Sequence, residues 1–190
     1  MNTPVGSTPA QPRSRTQIWI LVAVFFAPLA LAFLLYYGSG GWRPPGSTNH
    51  GELISPARPL PNASAWHGKW TLVYVGDGRC DGRCRAALIL TRQTRLALNA
   101  DMTRVQRVFL TTGNCCDRAY LEAEHPDLAI EQVDNDAGAA LLAAFPDAAS
   151  GSIYIVDPLG NLMMRHAPAA GLSKDLLEDL RKLLKLSHIG

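Results

Sequence analysis

The stretch Trp70-Thr71-Leu72-Val73-Tyr74-Val75-Gly76-Asp77-Gly78-Arg79-Cys80-Asp81-Gly82-Arg83-Cys84 decides how the rest of the chain is read. Its first six positions are β-branched, aromatic or leucine, the composition of a buried strand. Two cysteines follow, at the turn from that strand into a helix expected over residues 83–99. If the helix begins by Cys80, the i and i+4 positions Cys80 and Cys84 share one face. Two thiolates at such a turn have two chemistries open to them: a reversible disulfide or a soft metal ion. Cys80 and Cys84 are therefore the catalytic candidates, and the function lies in sulfur chemistry.

Outward from this pair the pattern alternates between strands and helices. Residues 105–111 read as a second strand, ended by the turn signal Gly113-Asn114. A short helix over 118–125 stops at Pro126, residues 129–133 suit an edge strand, and a helix over 136–145 closes at Pro146. Ser152-Ile153-Tyr154-Ile155-Val156-Asp157 is a strand, and Pro158-Leu159-Gly160-Asn161 turns it into another over 162–166. Ser173 caps a last helix, in which Leu176, Leu177, Leu180, Leu183 and Leu184 form a stripe of period 3.6. Right-handed crossovers place the first two strands parallel and adjacent, with the hairpin on the other side of the first. The expected fold is α/β, a thioredoxin-like mixed sheet flanked by helices. Its dithiol falls at the strand ends where the winding reverses, the favoured place for reaction sites in such sheets.

The N-terminal part is different in kind. Residues 18–37 carry no charge and are long enough to cross a bilayer of about 30 Å. Trp19, Tyr36, Tyr37 and Trp42 border the run as interfacial aromatics do, and Pro28 is tolerated inside a membrane helix. Ala30-Leu31-Ala32 resembles a cleavage site, but the run exceeds a signal peptide's apolar core, so an uncleaved transmembrane anchor is expected. Residues 1–17, rich in Pro, Ser and Thr, read as a disordered tail, residues 38–64 as a Gly/Pro linker and residues 65–190 as the folded domain. A single-pass inner-membrane protein results, its C-terminal domain in the periplasm or in the mitochondrial intermembrane space. Arg13 and Arg15 before the span and Arg43 after it give only a slight charge bias. A net charge of +2 without a basic stripe excludes a nucleic-acid partner. No Ser/His/Asp array, phosphate loop or paired-carboxylate motif supports a hydrolase or a nucleotide-binding protein.

Gly68-Lys69-Trp70-Thr71-Leu72-Val73-Tyr74-Val75-Gly76 followed by Cys-x-x-x-Cys resembles the Sco/SenC family of copper-handling thioredoxin-like proteins. The hairpin run from Ser152 to Gly160 and the N-terminal anchor are similar as well. The resemblance implies Cu(I) held by two cysteines and a histidine, and delivery to the copper-site subunit of cytochrome oxidase. The chain departs at the third ligand: the family's histidine precedes the strand that here follows Asp147-Ala148-Ala149-Ser150-Gly151. His50 falls in the linker, His67 at the opposite end of the first strand, and His125 at the end of a helix leading away. His166 returns to the dithiol end but about 10 Å sideways, two strand spacings, and is read as an exposed strand-end histidine. Of Met163 and Met164, the inward-facing one is read as core.

Cys115 and Cys116 follow the second strand, whose end emerges beside the dithiol. They read equally as packing thiols or as members of one sulfur cluster, giving Cys80, Cys84, Cys115 and Cys116 as the candidate copper ligands. Arg79, Arg83 and Arg85 flank the primary pair and either lower a thiol pKa or are solvated surface groups. The leading expectation is a membrane-anchored Sco-like accessory factor for cytochrome oxidase copper-site maturation, acting as a Cu(I) binder or thiol-disulfide reductant. The alternatives are a general membrane-bound thiol-disulfide oxidoreductase and a non-catalytic assembly protein with a structural disulfide.

Overall fold

The computed structural model describes residues 13–38, 48–113, 118–187 and 189. Contacts divide the chain into two units, Met1–Gly46 and Ser47–Gly190. The described part of the first is helix α1, Arg13–Gly38. Within its stretch Arg15–Gly38 an 18-residue window reaches a mean hydropathy of 2.8 with none of that window buried, so the helix is long and apolar enough to cross a membrane. The helix begins at Arg13, inside the segment expected to be a disordered tail.

The second unit is built on a six-stranded sheet. Its strands are β1 (Glu52–Pro59), β2 (Trp70–Asp77), β3 (Val105–Thr112), β4 (Leu128–Gln132), β5 (Ile153–Val156) and β6 (Asn161–His166). The order across the sheet is β1-β6-β5-β2-β3-β4. Strands β2, β3 and β4 are parallel, with Tyr74 level with Phe109 and Phe109 level with Ile130. Strand β5 runs antiparallel to β2, pairing Tyr74 with Ile153, and the β5–β6 hairpin pairs Ile153 with His166. The expected thioredoxin-like mixed sheet is therefore formed, with the hairpin on the expected side.

Alternation along β2 explains why the sheet is covered on both faces. Leu72 and Tyr74 point to one face, where Phe109, Ile155 and Met164 meet Leu88 of helix α2 (Gly82–Leu96) and Leu176 and Leu180 of the last helix. Val73 and Val75 point to the other, with Leu110, Tyr154 and Leu162. There a short helix (Asp136–Ala143) supplies Leu141, and Phe145 and Trp66 complete the layer. Numbered in chain order, the short helices are α3 (Arg118–Glu124) and α4 (Asp136–Ala143), and the last helix is α5 (Leu172–Leu186).

Two local expectations are corrected. Residues 52–59 belong to the sheet and not to a linker, since Glu52 pairs with Arg165 and Leu53 with Met164 across β1 and β6. Ser173 does not cap α5; Gly171, in the left-handed region at φ 83°, takes that place, and its carbonyl accepts from Lys174 at 3.0 Å and Asp175 at 3.2 Å. Glycine enters this conformation without the steric cost a Cβ brings.

Candidate functional site

The chain leaves β2 at Asp77 and turns at once. The Gly78 amide donates to the Thr112 carbonyl at 3.1 Å, so the end of β3 holds the start of the turn. The Asp77 carboxylate accepts from the Arg79 amide at 3.1 Å, and its carbonyl from the Cys80 amide at 3.4 Å. Cys80 sits at φ 44°, a left-handed conformation uncommon outside glycine. Asp81 then caps α2: its Oδ1 accepts from the amides of Arg83 and Cys84, both at 3.0 Å. The Cys84 amide, helped by the charge of Arg83, holds the Asp81 carboxyl below the usual range despite some desolvation.

Helix α2 thus begins at Gly82, one residue earlier than expected but after Cys80. The cysteines do not share a helix face. Cys84 lies in the first turn, Cys80 precedes the cap, and a disulfide joins them across it with a Cα–Cα separation of 4.9 Å. That separation lies within the range such bonds require.

Both cysteines are nearly closed to solvent, Cys80 at 5% and Cys84 at 3% exposure. Next to them a groove of about 330 Å³ opens between the ends of β2 and β3 and the chain before β5; Tyr74, Asp77, Thr112, Ala148, Ala149 and Cys84 line it. Burial raises the Tyr74 hydroxyl pKa above its ordinary value, and the carboxylates of Asp81 and Asp77 add to this against Arg83. The flanking arginines are answered by other groups. Arg79 pairs with Asp77 at 3.4 Å and Arg83 with Asp81 at 3.7 Å, both guanidinium groups largely exposed. The Arg85 guanidinium lies 5.4 Å from the Tyr120 ring centroid. Such exposed pairs contribute little, so the solvated-surface reading fits Arg79 and Arg83.

His67 packs against the turn at Gly160, at the far end of β2, as expected. His125 is buried at the end of α3, next to the start of β4. The reading of His166 as exposed is overturned: it is 3% exposed, and its Nε2 lies 3.5 Å from Oδ2 of the equally buried Asp179 on α5. That oxygen also accepts from the amides of His50 and Gly51 at 2.9 and 2.8 Å. The His50 ring meets Glu178 at 3.0 Å and Asp175 at 3.6 Å. This cluster of His50, His166, Asp175, Glu178 and Asp179 ties the chain ahead of β1 to α5, and sequence reasoning missed it. Met164 is buried in the core, as expected for the inward-facing methionine, and Met163 packs partly buried against it.

Cys115 and Cys116 lie outside the described residues. Among the described residues, no group of three His, Cys, Asp or Glu side chains is placed to hold a metal ion. The described donors at the dithiol are two sulfurs, and Ala148, Ala149 and Gly151 line the groove where the Sco resemblance implies a histidine.

A mixed sheet whose central strand leads through a cysteine pair into a helix defines a thioredoxin-like protein. The chain belongs to the family described as "Transmembrane-like, thioredoxin-like, C-terminal domain", whose model matches residues 70–187. Among solved structures it is similar to apo Sco1 from Thermus thermophilus, at 18% identity and a TM-score of 0.59, over 72% of this chain and 97% of that one. Yeast Sco1 with copper bound matches at 16% identity and a TM-score of 0.56, over 75% and 96%. Yeast Sco1 without that description of copper matches at 16% and 0.57, over 75% and 98%. At these identities the likeness is one of fold, and the thioredoxin-like fold is what it shares with them. No curated protein matches the chain.

Proposed function

We propose that this protein is a membrane-anchored, Sco-like thiol-disulfide reductant that prepares a copper-site partner, the copper-bearing subunit of cytochrome oxidase. The observation that carries this reading is the Cys80–Cys84 disulfide beside an open groove at the ends of the central strands. In the reduced protein one cysteine thiolate attacks a partner's disulfide: a mixed disulfide forms, the partner's S–S bond breaks and one partner sulfur leaves as a thiolate. The remaining protein thiolate then displaces the partner's second sulfur, leaving the partner a dithiol and Cys80–Cys84 oxidised. An external dithiol must restore the reduced form. Only the reduced pair offers thiolates, and these are soft donors suited to Cu(I). Cys115 and Cys116 are the proposed additional sulfurs for that ion.

Reduction potential and copper stoichiometry test this together. The full chain, equilibrated in glutathione buffers, is expected to interconvert between dithiol and disulfide at Cys80 and Cys84. Cu(I) titration of the reduced chain and of a Cys115→Ser, Cys116→Ser variant then reads whether the second pair contributes. A bond that no thiol buffer opens would leave a structural disulfide and sink the reading.

A further inference from the structure

In thiol-disulfide exchange, the sulfur reached by the incoming group forms the mixed disulfide, and the other leaves as thiolate. Exposure does not separate the two here, at 5% for Cys80 and 3% for Cys84. The groove does. Cys84 forms part of its wall, together with Tyr74, Thr112, Ala148 and Ala149, and Cys80 does not. We infer that Cys84, the second cysteine of the pair, is the one that bonds to the substrate, and that Cys80 resolves the mixed disulfide.

Three further observations agree with this division. Cys84 is the third residue of α2, where its backbone N–H donates a hydrogen bond to Asp81 Oδ1, so its sulfur stays at the positive end of the helix dipole. A thiolate in that position is favoured both as nucleophile and as leaving group. Cys80, in contrast, lies outside the helix in a left-handed conformation, in a turn whose own hydrogen bonds are 3.1 to 3.4 Å long. Opening the bond frees that turn without disturbing α2. Last, the groove lining that includes Cys84 also includes the small residues Ala148, Ala149 and Gly151, which leave room for a substrate segment carrying its own cysteine.

The steps balance. The Cys84 thiolate attacks one sulfur of a substrate disulfide, forming Cys84–S–S–substrate and releasing the substrate's other sulfur as a thiolate, which takes a proton from solvent. The Cys80 thiolate then attacks Cys84 Sγ, forming Cys80–Cys84 and releasing the substrate's second thiolate. Two electrons pass from protein to substrate. Regeneration by an external dithiol runs the same path backwards, so its first attack also falls on Cys84.

This inference rests on the reductant reading, and the experiment separates the two. The reduced full chain in detergent is treated with a limiting amount of iodoacetamide, then digested with trypsin. Cleavage after Arg79, Arg83 and Arg85 places Cys80 and Cys84 on different peptides. Cys84 is expected to be alkylated about tenfold faster than Cys80, a difference of about 1.4 kcal/mol in activation. With oxidised glutathione as probe, Cys80→Ser accumulates a mixed disulfide at Cys84, whereas Cys84→Ser reacts slowly at Cys80. Ala148→Phe, which narrows the groove, slows the reaction at Cys84. Equal rates, or Cys80 reacting first, overturn the inference while leaving a reversible dithiol intact. A wild-type bond that thiol buffers never open overturns both.

Discussion

His166 and His125 are both held below the usual histidine pKa of 6.5, and in both the leading cause is burial, which penalises the charged ring. For His166, Asp179 and Asp175 pull the other way and His50 adds to the lowering. The unfolded chain therefore binds more protons than the folded one as pH falls below about 6.5, and stability falls with it. Above that value both states hold neutral rings and the contribution is constant. Thermal unfolding is expected to show a plateau from about pH 8 down to about pH 7, then a decline toward about pH 5. His166→Gln, measured in the same series, makes that decline shallower. A slope unchanged by the substitution would assign the acid sensitivity elsewhere. The contact is tight at its neighbour too: a Cβ at Gly51 would lie 2.6 Å from His166 Nε2, so only glycine lets the chain pass there without displacing the ring.

Helix α2 carries the site, and its grip on the sheet is concentrated in few residues. Leu88 is 1% exposed against β2 and β3, and its carbonyl accepts from the buried Arg107 guanidinium at 2.6 Å. Arg107 is held by Thr91 and Asp127 as well, at 3.1 and 3.0 Å. Leu88→Ala is expected to cost about 2–5 kcal/mol in denaturant unfolding, the range for a fully buried leucine. A loss below about 1 kcal/mol would show that the helix repacks. Strands β2, β3 and β5 were legible in the sequence because both sheet faces are covered, so most positions are apolar or β-branched, and β6 was legible from the tight turn that follows β5. The dithiol and its turn were legible for a similar reason: a short local motif encodes them. Strand β1 was not, because Glu-Leu-Ile-Ser-Pro-Ala-Arg-Pro carries two prolines and its pairing is set by β6, distant in sequence. The burial of His166 was equally invisible, since it depends on Asp179 and on the chain at His50 and Gly51. The relation of the two cysteines was not legible either, because it turns on whether the helix takes in Cys80, and α2 begins after it at Gly82.

At the scale of the whole molecule, an apolar helix precedes a domain with a disulfide, a bond that persists in oxidising compartments. Reporter fusions placed after Pro61 are expected to be active only outside the cytoplasm; activity inside would reverse the proposed topology. Strand β1 occupies the hydrogen-bonding row of β6 that would otherwise lie open, and its Pro56 and Pro59 present no amide hydrogens to a further strand. A chain starting at Ala65 would lose that cover and offer β6 as a template for pairing with another copy. Sedimentation is then expected to find such a chain self-associated, and a chain starting at Thr48 monomeric at the same concentration. Equal behaviour would mean that β1 is dispensable as a guard. The segment that passes for a tether in the sequence is, on this account, what keeps copies of the domain from adding to one another as they would in a fibre.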